Sequence, residues 1–224
     1  MAKLNGVTVL APAKLNLALD VVGLLPNGYH DLDMTMQAIT LYERVVLRRS
    51  QTLSLSLPGS PVAANDSNTA VKAAIAFFRY TGLLAGVDIT VYKNVPVRAG
   101  MAGGSADAAA VLVGLNALYG ARLSMSELCA LGAKVGADVP FALMGGTCRV
   151  QGVGDVMKAL PPCPAFPPRK PLLPTIRWAA AVTRTARPRR PPSVPRIWPG
   201  SVPLPAMRWR SAAGPRTTRP SKRP

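Results

Sequence analysis

Four groups of residues in this chain have types and spacings that could do chemistry. The first is the run Pro96-Val97-Arg98-Ala99-Gly100-Met101-Ala102-Gly103-Gly104-Ser105-Ala106. Small residues let backbone approach an anion closely, and successive N–H groups can cradle phosphate oxygens. A helix that follows such a loop aims its positive end at the same place. Spacing excludes a P-loop, which needs a terminal Gly-Lys-Ser/Thr, and a dinucleotide fingerprint, because Ala102 occupies its second glycine position. The plainer reading is a loop kept small only for tight helix–sheet packing.

Lys14 is the second group. Its neighbours are nearly all apolar, and Asn16 shares its strand face. Such a lysine is either a surface cation or, held in a partly desolvated cleft, a group that neutralises a transferring phosphate or lowers a hydroxyl pKa. Asp138, in Gly136-Ala137-Asp138-Val139-Pro140-Phe141, is the third. It suits a helix N-cap, and equally a carboxylate that accepts the proton of an attacking hydroxyl. Tyr29 and His30 are the fourth. An aromatic face beside an imidazole can stack on and hydrogen-bond a nucleobase, although a lone histidine in a turn is more often structural.

These residues need elements to position them. Residues 7–22 read as extended with a break near Ala11-Pro12, and Leu15, Leu17, Leu19 and Val21 fall on one face, expected to be the core face. Asn27-Gly28 is turn chemistry. Strands are expected at 33–40, 43–49, 52–57 and 87–91. A helix over 69–81 is bounded by cap candidates Asp66-Ser67-Asn68 and by Gly82. An Ala-rich helix is expected to follow Gly104, with Ser105 suited to capping it, and to run to about Tyr119. Ser124 and Glu127 form a capping box for a helix ending near Gly136. Asp138 and Pro140 sit at the start of a short helix closed by Gly145-Gly146, and a strand follows at 147–151.

Composition divides the chain in two. The formal charge is +17, but residues 161–224 hold 14 of the 27 Lys and Arg, none of the 10 acids and 17 of the 23 prolines. Residues 1–160 carry a net charge of +3. The expected organisation is a near-neutral globular domain at 1–160 and a disordered Pro/Arg tail at 161–224. The tail would bind polyanions through charge alone, with strong salt dependence. Without aromatic or motif organisation, it reads as an accidental polycation rather than a selected nucleic-acid binder. Three cysteines without CxxC spacing point to a reducing compartment. With no signal-peptide pattern and no long apolar run, the expected location is the cytoplasm, off the membrane.

In order, Pro-Ala-Lys-Leu-Asn at 12–16, Asn-Gly-Tyr-His at 27–30, the 96–106 loop, Ser105-Ala-Asp-Ala-Ala-Ala and Gly-Ala-Asp-Val-Pro-Phe at 136–141 resemble the GHMP superfamily of small-molecule kinases. Within it they are most similar to the 4-diphosphocytidyl-2-C-methyl-D-erythritol kinases of the non-mevalonate isoprenoid pathway. The resemblance covers about residues 8–160. It implies an α+β GHMP N-terminal domain, a mixed sheet packed by helices. It further implies ATP with Mg²⁺ as cofactors and a cytidine-diphosphate-linked methylerythritol as substrate, phosphorylated on its 2-hydroxyl. By resemblance Lys14 and Asp138 are catalytic, residues 96–106 hold the ATP phosphates, and Tyr29 and His30 hold cytosine. Asn16 and Lys93 line the cleft, and Ser105 stands near the magnesium. Ala102 replaces a glycine common in the family, which is tolerable if its φ is negative.

The family's second half has no counterpart after about Leu160. The expectation is that the tail is out-of-frame text from a GC-rich gene, testable by translating past codon 160 in the other two frames. Such a chain would be weakly active or inactive. Another GHMP kinase activity, on homoserine or mevalonate, is the rival reading of the body.

Overall fold

The computed structural model describes residues 4–26, 28–161 and 163. The expected tail at 161–224 therefore lies almost wholly outside the described residues, as does Asn27 of the expected turn. Gly28, which is described, has φ 81°, as that turn requires.

The architecture is α+β. Strand β2, His30–Ser50, organises it. One edge pairs along its length with the antiparallel strand β1, Gly6–Leu24. The other edge is shared: Leu32–Gln37 pairs with β5 (Thr147–Gly152), and Arg44–Ser50 pairs with β4 (Gly86–Tyr92). Outside these lie β3 (Ser54–Ser56), parallel to β4, and β6 (Val156–Ala159), antiparallel to β5. The sheet is therefore mixed.

The helices are α1 (Thr69–Thr81), α2 (Gly103–Tyr119), α3 (Met125–Ala133) and α4 (Val139–Met144). Local chemistry accounts for their ends. Asn68 accepts the Ala70 N–H, and Gly82 closes α1 at φ 67°. Both halves of the Ser124–Glu127 capping box are formed. The main core joins Val9, Val45, Leu47 and Ile89 of the sheet to Phe77 of α1 and Leu112 and Leu115 of α2. A smaller cluster packs Met34, Met36, Cys148 and Val150 against Phe141 of α4.

Three expectations are corrected. The segments 33–40 and 43–49 are one strand, because Leu41-Tyr42 carries no turn chemistry and the β1 ladder keeps the chain extended across them. Leu17, Leu19 and Val21 are exposed rather than core, since β1 runs on into the ribbon it forms with β2, whose end is uncovered. Finally, α2 starts at Gly103 with Ala102 as its N-cap, so Ser105 lies inside the first turn and does not cap it.

Candidate functional site

The site forms where the sheet changes partners. Between Pro12↔Tyr42 and Lys14↔Ala38 the ladder slips, three residues of β2 facing one of β1. On its other edge, β2 there lies between the end of β4 and the start of β5. A bulge re-aims the side chains beside it, and Lys14 sits at this one.

Lys14 is 7% exposed. Its Nζ donates to Asn16 Oδ1 at 3.0 Å and stands 3.9 Å from Asp138 Oδ2. Its backbone N–H donates to the Met101 carbonyl at 3.2 Å, tying β1 to the glycine-rich loop. Asp138 precedes α4 but caps nothing with its side chain, which is one-third exposed. Its carboxylate is thus left to face Lys14.

The loop itself alternates. Arg98, Gly100 and Ala102 have φ of 62°, 71° and 55°, with Ala99 and Met101 outside the positive-φ set. Alternation of this kind turns successive N–H groups toward one concavity, the geometry of an anion nest. Two non-glycine residues held there cost ~1–2 kcal/mol each, strain of the sort that gathers at ligand sites. Ala102 has positive φ, so the condition for tolerating its methyl freely is not met. The loop runs straight into the unpaired N–H groups of α2. Thr69 Oγ1 of α1 braces it by donating to the Gly104 carbonyl at 2.7 Å. A Cβ on Gly136 would lie 3.9 Å from Ser105 Oγ, which places that hydroxyl beside the segment carrying Asp138.

Against the loop, a cleft of about 320 Å³ is lined by Val62, Asn68, Lys93, Val95, Pro96 and Asp107, among others. Lys93 does not stand free in it. Its Nζ lies 2.5 Å from Glu43 Oε1 and 2.7 Å from Asp107 Oδ2. Burial pushes the Asp107 carboxyl up to about 7, with the Lys93 charge and hydrogen bond pulling down and Glu43 pushing up. Glu43 and Asp107 escaped the sequence reading. Asp107 is the one carboxylate of a mostly apolar helix, whereas Glu43 lies in a strand that also carries Asp31, Asp33 and several arginines and gave no distinguishing signal.

Tyr29 and His30 sit apart from this centre, exposed near the tip of the β1–β2 ribbon. His30 pairs with Leu24, ten residues along β1 from Lys14, a strand path of roughly 30 Å. Lys14, Asn16, Asp138, Ser105 and the loop are brought together; the Tyr29–His30 pair is not. Among the described residues no group of three or more His, Cys, Asp or Glu side chains could hold a metal, and no helix is long and apolar enough to cross a membrane.

Residues 68–146, from the cap of α1 to the end of α4, match the family of GHMP kinases N terminal domain. This part of the chain is therefore a GHMP kinase N-terminal domain. It is similar to 4-diphosphocytidyl-2-C-methyl-D-erythritol kinases. That of Carboxydothermus hydrogenoformans is 49% identical over 154 residues, which cover 69% of this chain and 54% of the relative. That of a Synechococcus is 46% identical over 154 residues, 68% and 50% of the two chains. A crystal structure of 4-(cytidine 5′-diphospho)-2C-methyl-D-erythritol kinase matches at TM-score 0.59 and 38% identity, covering 68% of this chain and 55% of that one. Homoserine kinase from Cytophaga hutchinsonii, at TM-score 0.57 and 20% identity over 72% and 53%, shares the fold alone. The chain spans about half the length of the curated relatives it matches.

Proposed function

We propose that this chain supplies the ATP-holding and catalytic half of a kinase that transfers the γ-phosphate of ATP to the 2-hydroxyl of 4-(cytidine 5′-diphospho)-2-C-methyl-D-erythritol. The observation that carries the reading is the junction at Lys14. One residue reaches Asp138 with its ammonium and bonds to the glycine-rich loop with its backbone.

In this reading the 96–106 loop and the first turn of α2 grip the triphosphate with backbone amides. The Asp138 carboxylate, open to solvent on one side, orients the substrate hydroxyl and accepts its proton. The Lys14 ammonium, buried and steadied by Asn16, stabilises the charge growing on that oxygen and on the moving phosphoryl group. Phosphoryl transfer needs little else from the protein than this positioning and charge.

Magnesium supplies charge neutralisation on the phosphates when bound. Mg²⁺ is ordinarily held by one or two carboxylates plus substrate phosphates, so the absence of an all-protein cluster among the described residues fits a metal that arrives with ATP. Asp138 and the Ser105 hydroxyl are the groups of this chain that would meet it. Tyr29 and His30 are the groups of this chain that would stack on and hydrogen-bond the cytosine. Lys93 lines the cleft beside the loop. A cytoplasmic enzyme fits this soluble, nucleotide-linked chemistry.

The test is ATP-dependent phosphorylation of the cytidyl substrate by the purified chain, with Lys14→Ala and Asp138→Ala as controls. Phosphorylation of homoserine or mevalonate in place of the cytidyl compound overturns the substrate assignment.

A further inference from the structure

Beneath the loop lies a charged cluster that the transfer chemistry does not use. Glu43 is fully buried in the middle of β2, and Asp107 is 4% exposed in the second turn of α2. Both converge on the Lys93 ammonium at the end of β4. Burying charge is costly unless it is paired and hydrogen-bonded. Here two carboxylates share one ammonium, and Asp107 Oδ1 is buried with no hydrogen-bond partner. An arrangement this unfavourable for stability suggests a geometric role.

The geometry supplies one. Glu43 Oε2 accepts the Asn94 N–H at 2.6 Å, and Asn94 Nδ2 donates to the Tyr42 carbonyl at 2.9 Å, so the upstream end of the loop is pinned to β2. The downstream end, Gly103, lies against the same cluster, where an added Cβ would sit 3.1 Å from Glu43 Oε1 and 3.4 Å from Lys93 Nζ. Asp107 then fastens α2 to Lys93. Both ends of the segment carrying the strained residues Arg98 and Ala102 thus meet at one ammonium.

We propose that Glu43, Lys93 and Asp107 form a clamp that holds the glycine-rich loop in its alternating conformation before any ligand arrives, with Asp107 as a positioning residue. The ligand half of this statement rests on the proposed nucleotide role of the loop; the clamp itself does not.

The experiment is hydrogen–deuterium exchange of the full, ligand-free chain, followed by MgATP titration calorimetry. Asp107→Leu keeps the branched skeleton with a somewhat larger volume and leaves a balanced Glu43–Lys93 pair, whereas Asp107→Asn keeps the hydrogen bond to Lys93. For a charged hydrogen bond lost, amides 95–103 should exchange about tenfold faster in Asp107→Leu. Those of β4 and α1 should be unchanged, and Asp107→Asn should stay near wild type. MgATP affinity should fall by a similar factor in Asp107→Leu. If Lys93 instead served the phosphates directly, freeing it would tighten binding. Unchanged loop exchange in Asp107→Leu overturns the clamp. A loosened loop in a chain whose wild type does not bind MgATP keeps the clamp and overturns the nucleotide reading. Should Asp107→Leu fail to fold by circular dichroism, the charge-free triple replacement Glu43→Gln/Lys93→Met/Asp107→Leu carries the same comparison.

Discussion

Lys14 and Met101 are bonded backbone to backbone, the lysine N–H to the methionine carbonyl at 3.2 Å. The side chain that faces Asp138 therefore sits on the same peptide that anchors the glycine-rich loop. Replacing Lys14 by Met should leave this link and the fold intact while removing the ammonium. Phosphoryl transfer should then drop by roughly 10²–10³-fold with little change in MgATP affinity, read from kcat and from calorimetry.

Asp138→Ala separates two roles that one position could serve. A capping aspartate would lose ~1 kcal/mol of stability. Asp138 makes no cap bond, and its side chain is partly exposed. Thermal unfolding should therefore move by less than about 0.5 kcal/mol, while transfer falls by roughly 10²–10⁴-fold, the usual worth of a general base.

Ala102→Gly should stabilise the chain. Alanine at φ 55° costs ~1–2 kcal/mol, and glycine returns part of that as entropy lost on folding. The expected net gain is about 0.5–1 kcal/mol, seen as a higher urea midpoint at unchanged m.

Gly114→Ala tests packing against propensity. In an exposed helix interior the change would gain ~1 kcal/mol. On α2 the new methyl would fall 2.2 Å from Leu47 Cδ1 and 3.3 Å from Val9 Cγ2. Overpacking of this kind costs about 1–3 kcal/mol, so denaturant unfolding should show a loss.

Asp107 imprints a pH dependence. Its carboxyl is raised from 3.8 to about 7 in the folded chain, so between those values the folded state binds the extra proton. Its contribution is then present at low pH and lost as pH rises through about 4 to 7, by an amount of order 4 kcal/mol at most. Asp33 and Glu127, both lowered, act in the opposite sense as pH falls, but they are shared by any Asp107 variant. The difference in melting temperature between Asp107→Asn and wild type should be near zero at pH 4 and should grow to favour the variant above pH 7.

Local chemistry carried much of the structure into the sequence. Asn68 and Gly82 bound α1, and Ser124 with Glu127 opens α3, because caps depend on a few adjacent atoms. The glycine-rich run, Lys14 and Asp138 were legible as candidates by residue type alone. Their meeting was not, since Lys14 and Asp138 lie far apart in the chain and are brought together only by the docking of α4 against β1.

Alternation in β1 marked a strand but could not say where the covering layer stops. Leu17, Leu19 and Val21 accordingly read as core and stand exposed. Burial is a property of what lies opposite, which a single strand does not encode. The pairing of Lys93 with Glu43 and Asp107 was invisible for the same reason: fifty residues of chain separate Glu43 from Lys93, and only the antiparallel register of β2 with β4 sets them side by side. The residue types of this protein were written in its sequence, whereas which charges face each other was decided by strand register and helix docking, because electrostatic partners are chosen by distance in space.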